Sequence, residues 1–230
     1  MLDLWQALMI LQEQPTKDCI LLSLRVVAFA MPLLALCGVF IGYVLGRGKG
    51  PWRALLDFLV TLPLIFPPIA TGFLLLLLLG RRSFIGSWLK LHLNMEIIFS
   101  FWGIALAAFI AGLPLVVKQV QPAMRREANA LIEKASLLGK GPVTVFFRVT
   151  LPSLQRNIAI GLSLAFARIL GEVGVTLMLG GNISGRTNTI SLEIYNAVFT
   201  GEYEKALVLV MILGTISFVV ILLCRRLMVS

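Results

Sequence analysis

Long apolar runs joined by short polar stretches dominate the chain. Runs of about 20 apolar residues, enough to cross a bilayer, extend from Cys19 to Leu45, Leu55 to Leu79, Ile97 to Val117, Ile158 to Leu179 and Ala206 to Leu223. The pattern predicts an all-α membrane protein with about five transmembrane helices, an odd number that puts the two termini on opposite sides. Ahead of the first run, Leu2, Leu4, Trp5, Leu8, Met9 and Leu11 line the apolar side of a short helix suited to a membrane surface. Residues 1–18 are therefore expected to be an interfacial segment and residues 19–230 a single transmembrane domain. The opening stretch carries Asp3 and no early basic residue, which does not suit a cleaved signal peptide.

One polar interruption, residues 118–157, is longer than the others and has its own pattern around EKASLLGKGPVTVFFRVTLP, Glu133 to Pro152. Gly141 followed by Pro142 reads as a turn with proline at the first helical position. Beyond it, Val143, Phe146, Phe147 and Leu151 are expected to share an apolar face, with Arg148 pointing elsewhere. Before it, Glu127 to Leu138 favours helix, with Ala130, Leu131, Lys134, Ala135 and Leu138 along one side. Two short helices joined at Gly139 result, and the small residues Ala135 and Gly139 are expected to admit a partner closely. On pattern alone, an amphipathic loop with no partner remains open.

Composition supports the membrane reading, with 59% hydrophobic and 13% charged residues where soluble domains carry about 25% charged. A formal charge of +9 gives no reason to expect nucleic acid, because Lys and Arg gather in the cytoplasmic loops of membrane proteins. Here Arg47, Lys49, Arg53, Lys118, Arg125, Arg126, Lys134, Lys140, Arg148, Arg156, Arg225 and Arg226 fall on one side of the predicted spans. Fewer fall on the other: Lys17, Arg81, Arg82, Lys90, Arg186 and Lys205. The N-terminus is thus expected outside, and the C-terminus and the 118–157 segment in the cytoplasm. Cys19, Cys37 and Cys224 have no metal-ligand spacing, His92 falls in an expected external loop, and no catalytic or metal constellation emerges. Neither GRGKGP nor GKGPVT meets the phosphate-loop pattern.

Within the spans, TLPLIFPPIATG brings Pro63, Pro67, Pro68 and Gly72 close together. Internal prolines kink or break a helix, and irregular backbone at membrane depth survives only against protein or a water-filled cavity. A packing kink and a pathway-lining segment both fit. Arg168 and Glu172 are expected on one face of a continuous fourth span, as a structural ion pair or as groups lining the route. Gly171 and Gly174 beside them would let another helix approach closely. Gly180 to Ala206, including Asn182, reads as a partly buried external segment, an outer gate or a docking surface.

Glu133, Ala135 and Gly139, then nine residues, then Val149, Thr150, Leu151 and Pro152 resemble the EAA signature of bacterial ABC importer permeases. Lys134 and Val149 depart from the usual alanine and isoleucine. Leu55 to Leu89 and Phe166 to Tyr195 are similar to the molybdate permease branch, within an oxyanion group that includes sulfate and thiosulfate permeases. The resemblance implies a type I ABC importer permease fold in the bacterial cytoplasmic membrane, and a homodimer. It also implies an ATPase dimer that carries ATP and Mg2+, an extracytoplasmic oxyanion-binding protein, and no cofactor on this chain. Glu133, Ala135, Ser136, Gly139, Leu151 and Pro152 would couple to the ATPase. Pro63, Pro67, Pro68, Arg168, Gly171, Glu172, Gly174 and Asn182 are the candidates for pathway or gate. A stand-alone channel or carrier built on Arg168 and Glu172 would leave the EAA spacing unexplained.

Overall fold

The computed structural model describes residues 4–48 and 50–229. Leu2, Asp3 and Lys49 lie outside the described residues, as do the side chains of Leu4, Cys224, Arg225 and Arg226. A short surface helix α1 (Leu4–Gln12) precedes the long α2 (Gln14–Gly46), which is followed by α3 (Pro51–Ile65), α4 (Pro68–Leu79) and α5 (Phe84–Leu93). Next come α6 (Phe101–Ala123), α7 (Asn129–Leu137), α8 (Pro142–Val145), α9 (Leu151–Leu170) and α10 (Gly174–Gly180). Finally, α11 (Ile190–Thr200) leads to α12 (Tyr203–Val229). No strand occurs among the described residues. Prolines open α3, α4 and α8, where a missing N–H costs nothing. Side chains cap α5 and α11: Ser83 Oγ accepts from Gly86 N at 2.9 Å, and Thr189 Oγ1 from Leu192 N at 3.4 Å.

The core forms around α6, gripped by α2 on one side and α9 on the other. Apolar burial gives little drive between helices in lipid, so close van der Waals packing through small residues has to do the holding. Gly38, Gly42 and Gly46 of α2 sit against Val116 and Val120 of α6 and Met124 just beyond its end. A methyl group on Gly38 would come within 2.7 Å of Val116, and one on Gly42 within 2.7 Å of Val120. From the other side, Gly161 of α9 approaches the Val116 backbone, where an added Cβ would lie 3.0 Å from Cα. This glycine ladder was visible in the sequence as a four-residue repeat, although hydropathy alone does not select it.

The five expected spans appear in altered form. Among the described residues, three helices are long and apolar enough to cross alone: Gln14–Gly46, Phe101–Leu137 and Tyr203–Leu222. The count reaches five if two bent pairs each make one span, α4 with α5 at 56° and the 142–170 helix with α10 at 60°. The first span begins at Gln14 rather than Cys19, with Thr16 already buried. The second, expected over Leu55–Leu79, is interrupted at Phe66–Pro67, as its prolines dictate, and α4 pairs with α5 rather than with α3 in the bent span. The third does not stop at Val117. It continues through a π-helical turn, Met124–Ala128, into α7, giving one helix of 37 residues, about 55 Å at 1.5 Å per residue. The fourth was expected to be continuous and is instead broken at Gly171–Val173. His92 lies in the last turn of α5 beside the Trp88 ring, not in a loop.

Candidate functional site: a helical hairpin and two broken spans

The hairpin between α6 and α9 turns at Gly139. Lys140 N donates to Ala135 O at 3.2 Å and Gly139 N to Ser136 O at 3.0 Å, the paired bonds of a Schellman ending. Gly139 has φ +74°, which glycine adopts freely and β-branched residues do not. No atom lies within 4 Å of where its Cβ would stand. The turn conformation, not a close neighbour within the chain, therefore demands glycine.

On the first arm, Ile132 and Ala135 are buried against the chain's own core, whereas Ala130, Leu131, Glu133, Lys134, Ser136 and Leu138 are exposed. The expected alignment of Ala130, Leu131, Lys134, Ala135 and Leu138 on one side is thus corrected. Ala135 faces inward and offers no surface to a partner. On the second arm, Val145 is buried and Phe146 meets the Tyr43 ring edge-on at 5.3 Å, while Val143 and Phe147 point out. The single apolar face expected from Val143, Phe146, Phe147 and Leu151 is split, because Phe146–Thr150 forms a π-helical turn that shifts the phase. Pro152 explains the turn. In a regular helix its ring would press on the Arg148 carbonyl and leave it without a donor, and the wider turn, closed from Leu151 N to Phe146 O, accommodates it. Leu151 is half-buried and packs against the core. Leu137 (83% exposed), Leu138 (78%), Val143 (69%) and Phe147 (61%) leave an apolar tip on the hairpin.

The two broken spans meet at their breaks. A methyl on Gly174 would lie 2.8 Å from Pro68 Cβ, and one on Gly72 3.0 Å from Val175 Cα, so α4 and α10 touch backbone to backbone. Gly171 has no such neighbour: the Ala167 carbonyl, 3.7 Å from its would-be Cβ, is the nearest atom. The close approach expected at both glycines thus occurs only at Gly174. Pro67 and Pro68 form the start of α4, while Pro63 lines an open apolar cavity of about 400 Å³ with Leu59, Phe66 and Pro114.

Glu172 sits in the link between α9 and α10 and not on a helical face. Its Oε1 accepts from Val175 N at 2.8 Å, capping α10. Its Oε2 lies 2.5 Å from Arg168 Nη1, but off the N–H direction, so the contact is an ion pair without an aligned hydrogen bond. The pair bridges two helix ends with favourable polarity, the cation at the C-terminus of α9 and the carboxylate at the N-terminus of α10. The Glu172 side chain is only 1% exposed, and that of Arg168 33%.

Gly180 to Ala206 is partly buried, as expected, and is a polar network. Asn182, at φ +53°, donates to Asn196 Oδ1 at 2.6 Å. Glu193 accepts from Asn188 Nδ2 at 2.5 Å and lies 2.7 Å from Lys205 Nζ, which also reaches Glu13 at 3.3 Å. Burial pushes the Glu193 carboxyl up, but its bonds to Lys205 and Asn188 outweigh burial and hold it below its usual value of 4.5. Ser23 Oγ accepts from Ile190 N at 2.9 Å across 167 residues of chain. Glu13, Ser23, Glu193 and Lys205 were not singled out in the sequence, since no local spacing links residues so far apart.

A family model for the binding-protein-dependent transport system inner membrane component matches residues 38–229. The chain belongs to this family. Among its relatives, Molybdenum transport system permease protein ModB of Escherichia coli (strain K12) is 39% identical over 191 residues, 83% of each chain. The Mycobacterium tuberculosis protein of the same name is 36% identical, over 90% of this chain and 78% of its own. Sulfate transport system permease protein CysW of Synechococcus elongatus is 31% identical, over 93% and 74%. The crystal structure of a bacterial alginate ABC transporter, in complex with alginate pentasaccharide-bound periplasmic protein, gives a TM-score of 0.76 at 16% identity. The match covers 96% of this chain and 82% of that one, and it shows the fold alone. The chain has the type I ABC importer permease fold and is a multi-pass inner-membrane component of a transport system.

Proposed function

We propose that this chain is the transmembrane subunit of an ATP-driven importer that moves molybdate, or tungstate of the same shape, by alternating access. Two copies form the membrane core, two cytoplasmic ATPase subunits hold ATP and Mg2+, and an extracytoplasmic binding protein delivers the oxyanion. The N-terminus lies outside, and the hairpin and C-terminus lie in the cytoplasm, in keeping with the Lys and Arg distribution.

The observation that carries the reading is the apolar tip of Leu137, Leu138, Val143 and Phe147, mounted on a helix that runs unbroken from Phe101 to Leu137. An apolar tip rimmed by Glu133, Lys134 and Lys140 suits a docking cleft. Force applied there reaches α6 without crossing a flexible joint. In this reading Glu133 and Ser136 lie at the contact, while Ala135, Gly139, Leu151 and Pro152 set the hairpin's shape. Pro63, Pro67, Pro68, Gly171, Gly174 and the Arg168–Glu172 pair surround the region that opens and closes, and Asn182 belongs to its outer rim.

Proteoliposomes containing the permease, the ATPase and the binding protein are expected to accumulate molybdate only with ATP inside and all three proteins present. Equal uptake by the permease alone would overturn the proposal in favour of a stand-alone carrier. Sulfate is the second reading, supported by the cyanobacterial sulfate permease relative. Retention of sulfate and not molybdate by the partner binding protein would select it.

A further inference from the structure

We infer that the groove where α3, α4 and α6 diverge holds an acyl chain of an anionic phospholipid whose phosphate rests on Arg53. The inference stands on the membrane-spanning fold and does not need the importer reading. The break at Phe66–Pro67 turns α4 away from α3 and leaves an open cavity of about 400 Å³, within the roughly 300–1,000 Å³ of ligand pockets. Val60 and Pro114 form its buried floor, and Leu59, Phe66 and Leu74 stand exposed along its mouth. The one polar side chain that lines it, Thr71, spends its hydroxyl on Pro67 O at 3.3 Å, so water gains little there. From Leu56 to Phe66 the groove runs about 15 Å, the depth of one leaflet of a core about 30 Å thick. That volume over that length gives a section of about 27 Å², where a helix 10 Å across takes about 80 Å². A hydrocarbon tail fits the groove, and a helix of a second copy does not enter it.

Chemistry at one end of the groove selects the headgroup. Arg53, Leu56, Val60 and Pro63 fall within an arc of about 80° on α3, so the arginine stands about one turn beyond the apolar wall. Its guanidinium carbon lies 5.0 Å from the Trp52 ring centroid, and its Nη1 packs over Gly48. Trp52 is exposed, as suits an indole at the level of the headgroups. Arg47, beside Gly48, is held by Tyr43 Oη at 2.6 Å. Neither arginine has a carboxylate within ion-pair distance among the described residues. The one acid of α3, Asp57, is engaged by Lys118 Nζ at 2.8 Å, one turn beyond Pro114 on α6. That pair is neutral as a whole and leaves the arginines uncancelled. A phosphate supplies the charge and paired acceptors that a guanidinium fits. A zwitterionic headgroup would bring a cation of its own to a place with no free acid. Anionic lipids of the cytoplasmic leaflet meet the need in the orientation proposed above. The far end of the tail abuts Phe66, so the lipid fills the gap that the prolines open and braces α4, the helix against which α10 packs.

The test uses the full-length chain, in the complex in which it purifies, placed in nanodiscs of mixed phosphatidylglycerol and phosphatidylcholine. Leu59→p-benzoylphenylalanine puts a photoreactive group at the mouth of the groove, and the same replacement of Leu207, on the exposed face of α12, serves as comparison. After illumination, mass spectrometry is expected to find phosphatidylglycerol adducts at Leu59 enriched at least about tenfold over the bilayer ratio, the scale of one charge-assisted contact. Adducts at Leu207 should follow the bilayer ratio. Arg53→Gln is expected to abolish the enrichment, and Arg53→Lys, which keeps the charge, to retain part of it. Leu74→Trp, which crowds the mouth and leaves Arg53 in place, should lower the yield of lipid adduct. Absence of lipid adducts at Leu59, adducts there in the bilayer ratio, or enrichment that survives Arg53→Gln would overturn the site. Cross-linking of Leu59 to a second copy of the chain would also overturn it, and would give the groove to the subunit interface. No readout involves transport, so failure of the importer reading would leave the site standing.

Discussion

The hairpin around Gly139 and the segment from Gly180 to Ala206 are both polar excursions between apolar spans, yet they are built in opposite ways. The second turns its polar groups inward, although Val198, Phe199 and Tyr203 stand exposed on it. Thr187, Asn188, Thr189, Ser191 and Glu193 are all buried, and Lys205 ties α11 to both α12 and the start of α2. The hairpin keeps its polar groups outside and shows four large apolar side chains at its tip. Buried polar groups must find partners within the molecule, whereas exposed apolar groups find them outside it. The contrast separates a segment that bonds its polar groups within the chain from one whose tip is apolar.

The largest effect should come from breaking the buried polar network. Lys205→Met leaves Glu193 buried without its cation, a loss expected to cost about 3 kcal/mol or more, read as a lower melting temperature of the purified protein in detergent. An unchanged melting temperature would erase the contrast. Acid sharpens the same point. Glu193 is held below 4.5 in the folded protein, so its contribution is intact above 4.5 and lost as the pH falls through the lowered folded value. Lys205→Met should raise that carboxyl's pKa and so shrink the loss of stability on acidification.

A middle-sized effect is expected at the hairpin turn. Gly139→Val forces a β-branched residue to positive φ, at a cost of about 1–2 kcal/mol, and should lower binding-protein-stimulated ATP hydrolysis. Gly139→Asn, which tolerates that conformation, should preserve it. Loss in both variants would mean that open space at Gly139 matters and the turn does not. The smallest effect on stability belongs to the tip. Leu137→Ser with Leu138→Ser should change stability by no more than about 0.5 kcal/mol, yet weaken co-purification of the ATPase at least tenfold, since burying each leucine is worth about 1.5–3 kcal/mol.

The apolar spans, the proline break and the hairpin were legible in the sequence because each is set by local pattern: run length, missing N–H groups, and a glycine followed by Pro142. Other features depend on distant partners. Nothing near Glu172 announces that the helix ends at Gly171, because the break is stabilised by Val175 N and by the fit of Gly174 against Pro68. Ala135 turns inward for a similar reason, since it shares with Ala128 and Ile132 a face buried against distant parts of the chain, and the π-turn at Phe146–Thr150 shifts helical phase in the second arm by a residue that a fixed period of 3.6 cannot foresee. The Ser23 to Ile190 bond shows how far the chain must fold back before its polar residues meet.

The contact between α4 and α10 has a mechanical consequence. Neither helix has room for a methyl group where they touch, and each is cut from its other half by a short non-helical break, Phe66–Pro67 before α4 and Gly171–Val173 before α10. Whatever tilts one must carry the other along, so the two breaks act as one hinge line instead of two independent swivels.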